Sequence, residues 1–133
     1  MKRLFFLLVI AMLAITACNG KATEAPGSEE LIISEPGRSI EVTAGNEFKI
    51  IIESNASTGY HWELVGELDE SIVKFIKRDY QASEPVMPGS GGKDVWVFQA
   101  VAAGETTITL GKYPPSNDPV DPAQTVIFTI IVK

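Results

Sequence analysis

The chain is poor in the residues that most often carry chemistry: it has a single cysteine, Cys18, and a single histidine, His61, in 133 residues. One cysteine excludes an internal disulfide, so the fold must stand on its hydrophobic core. One histidine excludes a histidine metal cluster, and with Cys18 committed to the N-terminal motif described below no Cys/His pair can be assembled. Ser57 lies four residues before His61, but strand geometry gives no reason for a triad. Asp118 and Asp121 read as turn residues beside proline rather than calcium ligands, and Asp69-Glu70 as a turn. No nucleophile and base are therefore paired, and neither an enzyme nor a bound cofactor or metal is expected. Basic residues are also scarce, 11 against 17 acidic, and removal of Lys2 and Arg3 would leave nine. Without a basic patch, nucleic acid is excluded as a partner. Long apolar runs are missing too: the longest uncharged one, residues 4–17, has 14 residues, against the ~20 that a membrane-spanning helix needs.

What the N-terminus does have is Lys2 and Arg3, the apolar run, and then Cys18 followed by Asn19, Gly20 and Lys21. That order is the layout of a secretory signal peptide. Ile15-Thr16-Ala17-Cys18 resembles the lipobox of prokaryotic lipoproteins. The resemblance implies cleavage before Cys18, thioether lipidation of Cys18, and an extracytoplasmic protein anchored by lipid to a prokaryotic membrane, on the periplasmic side or the cell surface. Residues 18–30 are rich in Gly, Ala, Pro, Ser and charge without apolar periodicity, as in a flexible tether. The mature chain, residues 18–133, suffices for one domain and is too short for two, and residues 31–133 are expected to form it. No extra apolar face is evident in them, so a monomer is expected.

From Leu31 onward the apolar residues recur with period two between closely spaced turn signals, and no sustained 3.6-residue period appears. Ile40 and Val42 alternate with Glu41 and Thr43. Phe48, Ile50 and Ile52 share a face, as do Tyr60, Trp62 and Leu64, with His61 and Glu63 outward. Residues 72–80 read as a less regular strand. Trp96, Phe98 and Ala100 mark another, Thr106, Ile108 and Leu110 the next, and Val126, Phe128, Ile130 and Val132 the last. About seven short strands imply an all-β, immunoglobulin-like β-sandwich. Both tryptophans fall on the apolar side of their alternation and belong to the core. Three connections stand out, residues 54–59, 81–93 and 111–123. Two strand passes separate successive members of the set, so in a Greek-key sandwich all three emerge at one end.

The connections carry recognisable motifs. Asn55-Ala56-Ser57-Thr58-Gly59-Tyr60 resembles the Asn-Pro-Thr-Thr-Gly-aromatic loop of the chagasin family, protein inhibitors of papain-like cysteine proteases. Gly89-Ser90-Gly91-Gly92 is similar to that family's second loop, Gly-x-Gly-Gly. The intervals continue to agree through Trp96, Ala102-Ala103-Gly104 and Leu110. The resemblance implies a reversible, non-covalent inhibitor whose first loop enters the protease cleft at the catalytic Cys and His, flanked by the other two. It implies that Asn55 braces the loop, that Ser57 and Thr58 meet the catalytic centre, and that Gly59 keeps the turn tight before Tyr60. Gly89, Gly91 and Gly92 would let backbone lie along the cleft wall in the manner of an added strand.

Two departures from the family pattern are visible. Ala56 replaces the usual Pro, removing a constraint worth roughly 0.4–1 kcal/mol where the geometry suits it. The third loop, usually Arg-Pro-Trp, reads Pro114-Pro115-Ser116 here, so Pro115 is retained and Tyr113 is the candidate substitute for the missing Trp. An alternative that keeps the sandwich but uses the loops differently is a surface adhesion or carbohydrate-binding module.

Overall fold

The structure, a computed structural model, describes residues 31–133; the expected signal peptide, the expected lipidation of Cys18 and the expected tether all lie outside the described residues. The period-two segments form eight strands: β1 (Leu31–Ile33), β2 (Ser39–Val42), β3 (Glu47–Ser54), β4 (His61–Leu64), β5 (Val73–Ala82), β6 (Gly92–Ala100), β7 (Gly104–Tyr113) and β8 (Gln124–Val132). They make two four-stranded sheets, ordered β1-β3-β6-β5 and β2-β8-β7-β4. This is the expected all-β, immunoglobulin-like sandwich. The inward phases of the alternation fill the space between the sheets. Phe48, Ile50, Trp96, Phe98 and Val73 come from one sheet, and Val42, Trp62, Ile108, Leu110, Phe128 and Ile130 from the other, all buried. Phe48 and Phe98 stack at 5.6 Å between ring centroids, and the edge of Phe75 meets Phe98.

The strand count exceeds the expectation because the first segment divides between the sheets. β1 pairs in parallel with β3, and after a crossover β2 pairs in parallel with β8. A three-residue run such as Leu31-Ile32-Ile33 is too short to show a period, so this strand was not separable by alternation. The connections are also shorter than the apolar rhythm implied. Gln81↔Lys93 and Ala82↔Gly92 extend the β5–β6 ladder, and Lys112↔Gln124 extends that of β7–β8. Backbone pairing continues there through polar or small side chains, which a reading of apolar residues cannot see. The second loop is therefore 83–91 and the third 114–123.

The irregularity of residues 72–80 has a structural cause: the register of β5 shifts between Phe75 and Lys77, leaving Ile76 outward and 41% exposed. β5 is a sheet edge, and a bulge flanked by Lys74 and Lys77 is an arrangement that discourages pairing with another chain. Among the described residues, no helix is long and apolar enough to cross a membrane.

Candidate functional site

The strand registers bring the three loops together. Ser54, the last residue of β3, pairs with Gly92, the first of β6, so the first loop leaves the sheet where the second re-enters it. His61, the first residue of β4, pairs with Tyr113, the last of β7, so the first loop ends beside the start of the third. Direct contacts close the set. Asn55 Nδ2 donates to the Gly89 carbonyl at 3.4 Å. On the other side, Gly59 packs so closely on Pro115 that a Cβ at Gly59 would lie 3.0 Å from Pro115 Cβ.

The first loop is a single 3₁₀ turn, Ala56–Thr58, capped by Asn55. Asn55 Oδ1 accepts from the Ser57 amide at 3.2 Å and from Ser57 Oγ at 2.6 Å. Thr58 Oγ1 donates to the Asn55 carbonyl at 2.7 Å and accepts from the Tyr60 amide at 3.4 Å. Both hydroxyls thus fold back onto the loop and stiffen it, while residues 56–59 stay exposed. Gly59 has φ +79°, the left-handed conformation that an L side chain resists. With the Pro115 ring 3.0 Å from where a Cβ would lie, the position resists a side chain on two counts. Asn55 thus caps the turn at its start and Gly59 closes it at its end. Tyr60 is half-buried, with Lys112 Nζ 5.5 Å from its ring centroid.

In the second loop the Met87 amide donates to Ser90 Oγ at 3.1 Å, and Ser90 Oγ donates to the Met87 carbonyl at 2.7 Å. This turn presents Val86 and Met87, 73% and 60% exposed, beside the glycines. Their sequence signal is two adjacent apolar residues between Pro85 and Pro88, which period-two alternation does not pick out. Gly91 lies against the Ser54 carbonyl, 3.3 Å from where its Cβ would be. Gly92 is buried within β6, and a Cβ there would collide with the Gln81 carbonyl and the Tyr80 hydroxyl. Gly92 accordingly has an internal packing reason to be glycine, in addition to any role at a partner surface.

Tyr113 is the final residue of β7 and only half-exposed; its ring stacks on His61 at 6.1 Å between centroids and 25° between planes. His61 Nε2 in turn pairs with Glu63 Oε1 at 3.0 Å. Pro115, by contrast, lies within the loop against Gly59. Among the described residues, no group of three His, Cys, Asp or Glu could hold a metal ion.

Residues 41–130, which span β2 to β8 and include all three loops, match the model of the chagasin family peptidase inhibitor I42. The chain belongs to the chagasin family. Its activity is therefore peptidase inhibition rather than catalysis. Solved structures with the same fold include the cysteine protease inhibitor EhICP2 from Entamoeba histolytica, at 21% identity and TM-score 0.66, covering 77% of this chain and 95% of that one. Amebosin matches at 23% identity and TM-score 0.62, covering 78% and 98% of the two chains. PbICP-C, solved in complex with falcipain-2, matches at 18% identity and TM-score 0.55, covering 80% and 92%. No curated protein sequence matches the chain. In this chagasin-family member Pro115 of the third loop packs on Gly59, and Tyr113 before it stacks on His61.

Proposed function

We propose that the protein inhibits papain-like cysteine proteases reversibly and without covalent chemistry, by seating residues 55–60 in the active-site cleft between the loops 83–91 and 114–123. The observation that carries this reading is the mutual fastening of the loops, Asn55 to Gly89 and Gly59 to Pro115. An edge already held in shape loses little entropy on docking, and that preorganisation is what turns a small contact area into affinity. Family membership supports the reading, as do the descriptions of EhICP2 as a cysteine protease inhibitor and of PbICP-C in complex with falcipain-2. Carbohydrate recognition through stacked aromatics finds no platform in the two tryptophans, since Trp62 and Trp96 are 3% and 4% exposed. Titration of papain with residues 19–133 is expected to abolish activity near stoichiometric amounts, and replacement of Ser57 and Thr58 by Glu to restore it. Unchanged activity at micromolar inhibitor across several papain-like enzymes would refute the assignment.

The lipid anchor completes the proposal. Leu31 pairs with Phe48 near the start of β3, whereas the first loop leaves from Ser54 at its other end. The chain therefore enters the domain at Leu31, at the pole opposite the first loop and roughly 20–25 Å from it at the usual rise per residue. A monomer tethered in this way would hold its inhibitory edge toward the extracytoplasmic medium. Incorporation of labelled palmitate by the full chain in a bacterial host, and its loss in Cys18→Ser, would test the anchor; equal labelling of both would remove it.

A further inference from the structure

We infer that Arg78 is a positioning residue for the inhibitory edge, a strut that fixes the first and second loops relative to each other; this rests on the reading proposed above. Arg78 stands in the edge strand β5 with its side chain 33% exposed and reaches across the open edge of the sandwich toward the other sheet. Its Nη2 donates to Asp94 Oδ2 at 2.8 Å and its Nε to Asp94 Oδ1 at 3.3 Å. The remaining arm, Nη1, crosses to the other sheet and donates to the Trp62 carbonyl at 2.9 Å. The guanidinium carbon lies 4.9 Å from the Trp96 ring centroid, so one face of the fork is also packed.

Both residues that accept hydrogen bonds from Arg78 lie near a loop. Asp94 follows Gly92 by two residues in β6, and β5 itself leads into the second loop after Ala82. Trp62 follows Tyr60 by two residues, and its Nε1 donates to the Glu53 carbonyl at 3.1 Å, two residues before Asn55. The indole thus closes the base of the first loop from one side, while Arg78 holds the same residue's backbone from the other. Lys112, one residue before Tyr113, adds the third strand end with Nζ 6.0 Å from the Trp62 ring centroid. A polar layer therefore runs across β3, β4, β5, β6 and β7 directly beneath the three loops.

Stability alone does not account for this layer. Asp94 is 1% exposed and occupies the inward phase that Trp96, Phe98 and Ala100 continue. An ion pair that buries Asp94 while leaving the Arg78 side chain 33% exposed is often no more stabilising than apolar side chains of similar size. What apolar side chains lack is direction. A planar guanidinium fixes two carboxylate oxygens and sets the line of a third donor at once, which lysine cannot do.

The test uses two variants of residues 19–133, the paired Arg78→Met/Asp94→Leu, which removes the strut without stranding a buried charge, and Arg78→Lys, which keeps the charge and loses the fork. Three readouts are compared with the unaltered protein: the urea midpoint, amide hydrogen exchange, and the inhibition constant for papain. The paired variant is expected to keep its urea midpoint and its exchange protection at Phe48 and Ile130, while exchange in residues 55–60 and 83–91 accelerates. Its inhibition constant should rise about tenfold through faster dissociation, the signature of lost preorganisation. Arg78→Lys should fall between the two, and it carries the test alone where the paired variant does not fold. Unchanged loop exchange, or loosened loops with an unchanged inhibition constant, would overturn the positioning role. Failure of the unaltered protein to inhibit papain would refute the protease reading, and loop exchange would then decide the role of Arg78 by itself.

Discussion

The two poles of the sandwich are built by different physics. At the pole away from the loops, Phe48, Phe98, Ala100, Ile130 and Val132 are buried at 3% exposure or less. The chain is tied there by backbone bonds such as Ala44 amide to Lys133 carbonyl at 2.9 Å and Gly45 amide to Ala100 carbonyl at 2.7 Å. At the loop pole, backbone bonds such as Ser83 amide to Gly91 carbonyl at 3.0 Å are joined by side-chain hydrogen bonds: the Asn55 cap, Trp62 to Glu53, and Arg78 to Asp94 and Trp62. Apolar burial is strong but without direction, whereas hydrogen bonds contribute about 1 kcal/mol each and fix angles. The difference separates what keeps the protein folded from what keeps its binding edge in shape.

Substitution at each pole should make that division visible. Phe98→Ala removes a fully buried ring that touches Phe48 and Phe75, and is expected to cost about 3–5 kcal/mol of stability. The molecules that remain folded should inhibit a papain-like protease as before. Asn55→Ala should show the reverse balance. Losing the cap of the 3₁₀ turn and its link to Gly89 is expected to cost only about 0.5–2 kcal/mol of stability, yet to weaken inhibition by an order of magnitude or more. Urea unfolding and inhibition constants measured on the same two variants would check this. A loss of inhibition by folded Phe98→Ala equal to that of Asn55→Ala would erase the distinction between the poles.

The same division sets how much could be read from the sequence. The apolar pole was legible, because alternation at Phe48, Ile50, Trp96, Phe98, Phe128 and Ile130 is a direct record of which side faces the core. The tip of the first loop was legible for another reason: Asn, Ser, Thr and Gly in that order specify a capped turn by local chemistry alone. The polar layer between them was not. Arg78 and Asp94 are 16 residues apart, and only the register of β5 on β6 brings them together. Asp94 did leave a trace, a charged residue on the inward phase of an otherwise apolar strand, but its partner could not be found without the bulge at Ile76 that sets which β5 residues face inward. Gly92 presents a related limit. Its motif reads as a flexible loop, while its neighbours Gln81 and Tyr80 require a strand glycine for reasons of space.

The two tryptophans offer the finest test, because they are almost equally buried and differ in one bond. Trp62 Nε1 donates to the Glu53 carbonyl, whereas Trp96 Nε1 is buried without a hydrogen-bond partner. Replacement by phenylalanine trims each indole to a smaller ring and so costs both sites some apolar contact. At Trp62 the substitution also deletes the hydrogen bond that closes the base of the first loop. At Trp96 it removes a donor whose burial already costs about 1–3 kcal/mol, which offsets the lost contact. Trp96→Phe is therefore expected to be less destabilising than Trp62→Phe, by about 1 kcal/mol, as read from urea midpoints at constant slope. The inhibition constant should also respond to Trp62→Phe and stay nearly unchanged in Trp96→Phe, since the Trp62 bond reaches the strand end from which the first loop departs. Equal midpoints together with equal inhibition constants would mean that the loop base is held by packing, and that the contrast between the poles ends below residue 53.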